Sequence, residues 1–126
     1  MSEILQVVPL DIGDGAYDPR STYVEQYWLP VLGPTATWLL RRIADNFDRA
    51  PSGFELDLAE TAKALGLAQR GKVQGACQRL VVFSIARQQD LVLAVRRAVP
   101  ALPRRYAHRL PTKLAVAHLS RKDADG

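Results

Sequence analysis

The residues best suited to chemistry lie between positions 70 and 79, where polar and apolar side chains alternate at helical spacing. The apolar members predict the buried side of a helix: Val73, Ala76, Cys77 and Leu80. The positions between them carry long side chains that donate hydrogen bonds: Arg70, Lys72, Gln74, Gln78 and, beside them, Arg79. Glutamine can pair with adenine and arginine with guanine, so this set is competent to read bases in a DNA groove. A solvated helix face has the same composition, and spacing alone does not separate the two.

Two further polar groups follow, one in a predicted hairpin and one after it: Arg87 and Gln88 with Gln89, then Arg104, Arg105 and Arg109. Side chains at the tip of such a hairpin commonly reach a phosphate or the minor groove. A helix would present positions 105 and 109 on one face because they are four residues apart. That face could grip a nucleic-acid backbone, or it could pair with acidic residues of a second copy.

Residues that could serve catalysis or bind a metal are isolated in the sequence. His108 and His118 have no carboxylate or cysteine at ligand spacing, which favours structural or surface roles. Cys77 falls on the apolar side of its helix and is predicted to be an inert buried thiol. Trp28 and Trp38 are expected in the core or in a dimer contact. With no paired carboxylates and no glycine-rich phosphate loop, the sequence predicts no enzyme, no metal and no cofactor.

Charge is segregated along the chain. Residues 1–60 contain 4 Lys and Arg against 10 Asp and Glu, and residues 61–126 contain 13 against 3, so the two parts carry −6 and +10. Segregation of this size indicates a surface that faces a polyanion. The 126 residues, 48% of them hydrophobic, fit one globular domain, and the single cysteine indicates a reducing compartment. Because no apolar run approaches the roughly 18 residues of a membrane span, we expect a cytoplasmic protein with no membrane partner.

Periodicity and turn residues divide the chain into an arm, several helices and one hairpin. Residues 1–20 predict a flexible arm, with a short docking strand near its start as the alternative. Thr22 and Glu25 have capping-box spacing and predict a helix that ends near Pro30. The remaining elements are expected in this order within a domain over residues 21–120: a helix over 34–48, a strand over 54–56, a helix over 58–66 with Asp57 and Glu60 as its capping box, a helix over 70–83, a hairpin over 84–96, and one or two helices up to 118, followed by a disordered tail over 121–126.

This order of elements resembles that of bacterial winged helix-turn-helix proteins over about residues 34–97. Residues 57–67 resemble the first helix of such a motif, residues 69–80 its recognition helix, and residues 81–87 the start of its wing. A weaker resemblance, over residues 27–38, is to the winged-helix domain of DnaD-type replication-initiation proteins. The fold class implied is mainly α: a winged helix-turn-helix with a small β-hairpin wing and extra N- and C-terminal helices.

Three residues depart from the pattern. Ser84 stands where such proteins often have a glycine at the end of the recognition helix. Gly71 and Gly75 fall within the predicted helix, where an interior glycine costs roughly 1 kcal/mol relative to alanine. Gly71 could belong to the turn instead, and Gly75 could allow close approach of a phosphate or of another helix.

The resemblance implies sequence-specific binding of double-stranded DNA by a small transcriptional regulator. The helix at 70–83 would read the major groove, and the wing at 84–96 would contact the backbone or the minor groove. One winged helix covers about one half-site, which predicts a homodimer formed through one of two groups: Tyr23, Tyr27 and Trp28, or Leu110, Leu114 and His118. The alternatives are a replication or segregation accessory or phage-type protein that uses the winged helix for protein docking, with a partner on the acidic N-terminal half, and RNA or ribosome binding through the basic tail.

Overall fold

Helices pack against one side of a four-stranded sheet in the computed structural model, which describes residues 3–13 and 15–120; the predicted tail over 121–126 lies outside them. The strands are β1 (Ile4–Pro9), β2 (Phe54–Asp57), β3 (Ala86–Gln89) and β4 (Val92–Val95). The helices are α1 (Leu29–Leu32), α2 (Pro34–Arg49), α3 (Leu58–Ala64), α4 (Gly71–Val82) and α5 (Thr112–Ser120), with a π-helical turn at Val24–Trp28 and a 3₁₀ helix at Arg104–Arg109. The fold is mixed α/β rather than mainly α, because the predicted strand near residues 54–56 and the predicted hairpin are joined through β1 into one sheet. Within the described ranges, no helix has the length and apolar character needed to cross a membrane.

The strand β1 occupies an inner position of the sheet, whose order is β2-β1-β4-β3. It runs antiparallel to β2, with Leu5 opposite Leu56, and parallel to β4, with Val7 opposite Leu93. Leu5 and Val7 are 2% and 0% exposed, so this strand supplies part of the core. The structure therefore contradicts a flexible arm over Ile4–Pro9 and agrees with the alternative of a docking strand.

The first helical segment differs from its prediction at both ends. The Val24 N–H donates to the Ser21 hydroxyl and the Glu25 N–H to the Ser21 carbonyl, so Ser21 rather than Thr22 caps the start of this segment. The capping box predicted at Thr22 is therefore absent. The segment also continues past Pro30 to Leu32, because proline is tolerated in the first turn of a helix and α1 begins only at Leu29.

The predicted helix pair and hairpin are present. The Asp57 carboxylate accepts a hydrogen bond from the Glu60 N–H at 3.0 Å and so begins α3 as its capping spacing predicts. Helix α3 ends in a Schellman motif, in which Gly66 has φ +73° and Leu67 N–H bonds to Ala62 O at 2.7 Å. Four residues later α4 begins, and the antiparallel pair β3–β4 follows it.

Helix α4 ends in the same motif with a serine in the glycine position. Ser84 N–H bonds to Val81 O at 3.0 Å and Ile85 N–H to Leu80 O at 2.9 Å, while Ser84 adopts φ +63°. Ser84 therefore adopts the left-handed backbone that a glycine usually adopts at this position, although the residue type differs. Left-handed backbone costs an L-residue roughly 1–2 kcal/mol, and glycine avoids that cost.

We expect Ser84→Gly to raise the free energy of unfolding by about 0.5 kcal/mol, because relief of the left-handed strain exceeds the added entropy of the unfolded chain. Urea unfolding followed by circular dichroism measures the change. Ser52→Gly is the matched control, since Ser52 is exposed and is not among the positive-φ residues. A less stable Ser84→Gly protein would show that the serine hydroxyl contributes more than the strain costs.

The two groups of residues predicted to form a dimer contact pack against each other inside one chain. The Tyr23 hydroxyl accepts a hydrogen bond from Leu102 N–H at 2.8 Å and lies 3.0 Å from Nε2 of His118 on α5. Tyr27 lies against the same imidazole, with ring centroids 5.1 Å apart, and Trp28 is 1% exposed. The predicted location of the dimer contact is therefore wrong, because these aromatic side chains are buried in the core of one chain and cannot contact a second copy.

Candidate nucleic-acid interface

Helix α4 has one buried and one exposed side, as its spacing predicts. Val73 and Leu80 are 0% exposed, and the polar positions between the buried ones face solvent. Burial raises the pKa of the Cys77 thiol to about 11, so this cysteine is protonated and inert at neutral pH. The residues predicted for base reading do lie together on the outer side: Arg70, Lys72, Gln74 and Gln78.

The two glycines of α4 occupy different places. Gly71 is the first residue of the helix, where its missing side chain costs little. Gly75 lies in the interior on the exposed side, and a Cβ placed there would meet nothing within 4 Å. Among the described residues, close approach of another helix therefore does not explain the glycine at position 75.

A groove with a volume of about 370 Å³ lies between α4, the start of β1 and the hairpin. Gln74, Gln78 and Gln88 line it, and so does the Glu3 carboxylate, which accepts a hydrogen bond from Nε2 of Gln74 at 2.9 Å. Leu5, Leu58 and Cys77 contribute the apolar part of its lining. Two glutamines of α4 and one glutamine of the hairpin therefore meet in a single groove. Sequence reasoning missed Glu3, because nothing local indicates that the first residues join the sheet.

The hairpin divides its polar residues between two faces of the sheet. Alternation along β3 places Arg87 opposite Ala94 on the outer face and Gln88 opposite Leu93 on the face towards α4. Gln88 also donates to Asp90 O at 3.2 Å, across a two-residue turn in which Asp90 has φ +54°. Of Arg87, Gln88 and Gln89, only Gln88 lines the groove with α4. Arg87 lies on the outer face of the sheet.

Arg79 is tethered to another helix. Its Nε donates to Leu32 O at 2.6 Å and its Nη2 to Val31 O at 3.0 Å, so the guanidinium caps the C-terminal end of α1. The guanidinium also lies 5.7 Å from the centre of the Phe83 ring. These contacts hold Arg79 against α1 and Phe83, a role that the sequence does not reveal. Two N–H donors of Arg79 therefore point towards α1 and are not available to a nucleic acid in this conformation.

The arginines after the hairpin form a cluster around two aromatic rings. Phe83 and Tyr106 meet edge to face, with centroids 5.1 Å apart. Arg105 lies 4.7 Å from the Tyr106 ring centre and Arg109 lies 5.4 Å from that of Phe83. The segment is a 3₁₀ helix, so the α-helical spacing expected for positions 105 and 109 is absent, and the two guanidinium groups lie over two different rings that touch each other. Arg104 begins the same segment and is exposed.

Part of the acidic first half is neutralised within the chain. Arg20 forms ion pairs with Asp18, Asp45 and Asp48, and its hydrogen bond lowers the pKa of Asp18. Arg97 pairs with Asp11 through two hydrogen bonds of 3.1 and 2.7 Å. These contacts stabilise the loop between β1 and the first helix.

The candidate cations of the interface differ from Arg20 and Arg97 in their ion pairing. Among the described residues, no acidic side chain forms an ion pair with Lys72, Arg87, Arg104 or Arg105. Within the same residues, no group of histidine, cysteine and carboxylate side chains could hold a metal ion. These four cations suit an anionic polymer, while the Glu3 carboxylate is an anion within the groove itself.

No protein-family model matches this chain. Comparison with curated proteins and with solved structures also finds no match.

Proposed function

We propose that the protein binds double-stranded DNA in a sequence-specific manner and acts as a small transcriptional regulator with a winged helix-turn-helix architecture. The observation that carries the proposal is the exposed side of α4, where Gln74 and Gln78 line one groove with Gln88 of the hairpin and Lys72 is an exposed cation of the same helix. A helix with one buried side and such donors on the other fits the major groove.

The charge of the surface supports the same proposal. The candidate residues lie in the part of the chain that carries +10, while three aspartates of the first half form ion pairs with Arg20. The flanking cluster of Arg104 and Arg105 adds positive charge beyond the C-terminal end of α4. Cations without acidic partners release counterions when they meet phosphates, which favours binding.

A homodimer is part of the proposal, because one such module covers about one half-site. The aromatic core around Tyr23 cannot form its contact, so the contact must use another surface. Sedimentation at tens of micromolar protein, with and without DNA, tests this part separately.

The test compares single alanine variants on a preferred DNA site and on a random duplex. We expect Gln74→Ala and Gln78→Ala to lose roughly 1–3 kcal/mol on the preferred site and little on random DNA, because a base-edge contact discriminates only where the right base is present. Arg87→Ala should weaken binding to both duplexes and reduce the salt slope by about one unit, through one fewer released counterion.

Binding is measured by fluorescence anisotropy at several salt concentrations, on a site first selected from a random pool. Lys113→Ala is the matched control, since Lys113 is an exposed cation on α5, away from the groove. If the variants at 74, 78 and 87 all bind like the parent, or if selection yields no preferred site, the proposal is wrong.

A second candidate function, protein docking through the same surface, is favoured by the apolar residues at its margin. Val81 and Val82 at the end of α4 are 36% and 71% exposed, and Leu91 at the hairpin tip is 52% exposed. In that case the protein would be a replication or segregation accessory. Substitution of Val82 by serine would then abolish the partner's binding, whereas the regulator should bind DNA with nearly unchanged affinity.

A further inference from the structure

The second tryptophan of the chain lies on the surface, so of the two places expected for it, the core and a dimer contact, the core is wrong. Trp38 on α2 is 60% exposed, and it is the one aromatic residue among the exposed large hydrophobic side chains of the described residues. The opposite side of α2 is buried in the core. Tryptophan is the residue type most often responsible for binding energy at protein interfaces, so a fixed, exposed tryptophan marks a candidate contact.

Trp38 is held in place by a neighbouring cation. The guanidinium of Arg41 lies 5.4 Å from the centre of the Trp38 ring and donates to Arg20 O at 3.0 Å. The ring is therefore fixed before any partner arrives, which lowers the entropic cost of binding.

A groove with a volume of about 360 Å³ adjoins the ring. Its other walls are mainly apolar side chains from the end of α3 and the turn after it, Ala64, Leu65 and Leu67, and Arg42 is its one charged lining residue. An apolar side chain inserted here would meet aliphatic walls and the indole, while acidic groups beside it would meet Arg41 and Arg42. No residue of α4 lines this groove, so it is separate from the proposed DNA surface.

We propose that this groove binds an acidic segment of a partner protein through one aliphatic or aromatic anchor. A second copy placed over the groove about a two-fold axis would bring the same two arginines of both chains together, which like-charge repulsion opposes. Single-stranded nucleic acid fits less well, because Arg41 already lies over the ring and the walls are aliphatic, whereas bases bind by stacking on aromatic faces.

The experiment follows the indole N–H signal of Trp38 in ¹⁵N-labelled full chain by NMR, assigned from its loss in Trp38→Ala. The probes are a 16-residue amphipathic peptide with leucines on one side and glutamates on the other, the same peptide with every glutamate replaced by lysine, and a ten-residue oligothymidylate. We expect the acidic peptide to shift the signal saturably and to bind at least about tenfold more tightly than the lysine peptide.

Variants distinguish binding in the groove from nonspecific electrostatic binding elsewhere on the surface. Arg42→Glu should weaken the acidic peptide at least about tenfold, and Trp38→Ala, followed through the backbone signals of Leu65 and Leu67, should abolish saturable binding. The matched controls are Lys113→Glu and Val116→Ala on α5, an exposed cation and a valine that is 60% exposed; both should bind like the parent. Because Trp38 is exposed, Trp38→Ala should fold, and its unchanged DNA binding would show that the groove acts independently.

Three results would overturn the proposal. Equal binding of the acidic and lysine peptides would remove the charge argument, and a shift by the oligothymidylate alone would assign the groove to nucleic acid. A shift that depends on protein concentration without any probe would assign it to a second copy of this chain.

Discussion

Replacing Val7 with aspartate is expected to unfold the protein, with a loss of at least about 4 kcal/mol in the free energy of unfolding. Val7 is 0% exposed and lies on β1 between Phe54 of β2 and Leu93 of β4. A carboxylate there would be buried among apolar side chains without a hydrogen-bond partner. Since small domains are stable by only about 5–15 kcal/mol, a loss of this size removes most of the folded population.

Gln6→Asp is the matched control, because Gln6 is the next residue of the same strand and is exposed on the opposite face. We expect its effect to stay below about 1 kcal/mol. Urea unfolding of both variants, followed by circular dichroism and by Trp28 fluorescence, measures the difference. If the Val7 variant were as stable as the Gln6 variant, β1 would be dispensable and the flexible arm predicted from the sequence would be correct in solution.

Strand β1, which the sequence gives only as the alternative to a flexible arm, shows what neighbouring residues alone cannot predict. The run from Ile4 to Leu10 is apolar, but Pro9, Gly13 and the acidic residues that follow it favour an arm when they are considered alone. What makes the run a strand is its parallel pairing with Val92–Val95, more than 80 residues later in the chain. Parallel pairing carries no turn signal that could be recognised locally, because the two strands are joined through the whole of the intervening fold.

Elements defined by local chemistry were predicted more closely. The apolar spacing of α2 and α4, the cap at Asp57 and the turn at Gly66 are each set by residues within one helical turn of one another. The exposed positions of α4 follow from the same spacing. The exposure of Trp38 follows from it as well, because position 38 lies opposite Leu40 and Phe47 on α2, and the expectation of a core position came from the apolar character of the residue.

The role of individual site residues depends on tertiary contacts and was the least predictable feature. Lys72 and Arg79 are both exposed cations on α4, and the sequence assigns them to one group. Only the structure shows that Arg79 donates to Val31 and Leu32. The hydrogen bond between Glu3 and Gln74 likewise joins a residue outside the proposed motif to one within it, 71 positions apart.

Arg79→Ala is therefore expected to destabilise the protein by about 2–3 kcal/mol, whereas Lys72→Ala should change its stability by less than about 0.5 kcal/mol. The alanine variant leaves two carbonyls at the end of α1 without their charged donor and removes the contact with Phe83. Arg79→Lys should lose most of the same stability, because an ammonium cannot reproduce the spaced donors at Nε and Nη2. Urea unfolding midpoints of the three variants measure these differences.

DNA binding should show the reverse order of effects. Binding is measured under conditions in which every variant is folded. Lys72→Ala is expected to weaken binding to random duplex and to lower the salt slope by about one unit. Arg79→Ala is expected to cause a smaller loss of affinity and a smaller change in salt slope, because two donors of Arg79 face α1 rather than solvent. The opposite result, an Arg79→Ala protein as stable as the parent but weak on DNA, would mean that this guanidinium leaves the α1 carbonyls for a phosphate. The tether at Val31 and Leu32 would then hold Arg79 only in the absence of DNA, and DNA binding would release the end of α1.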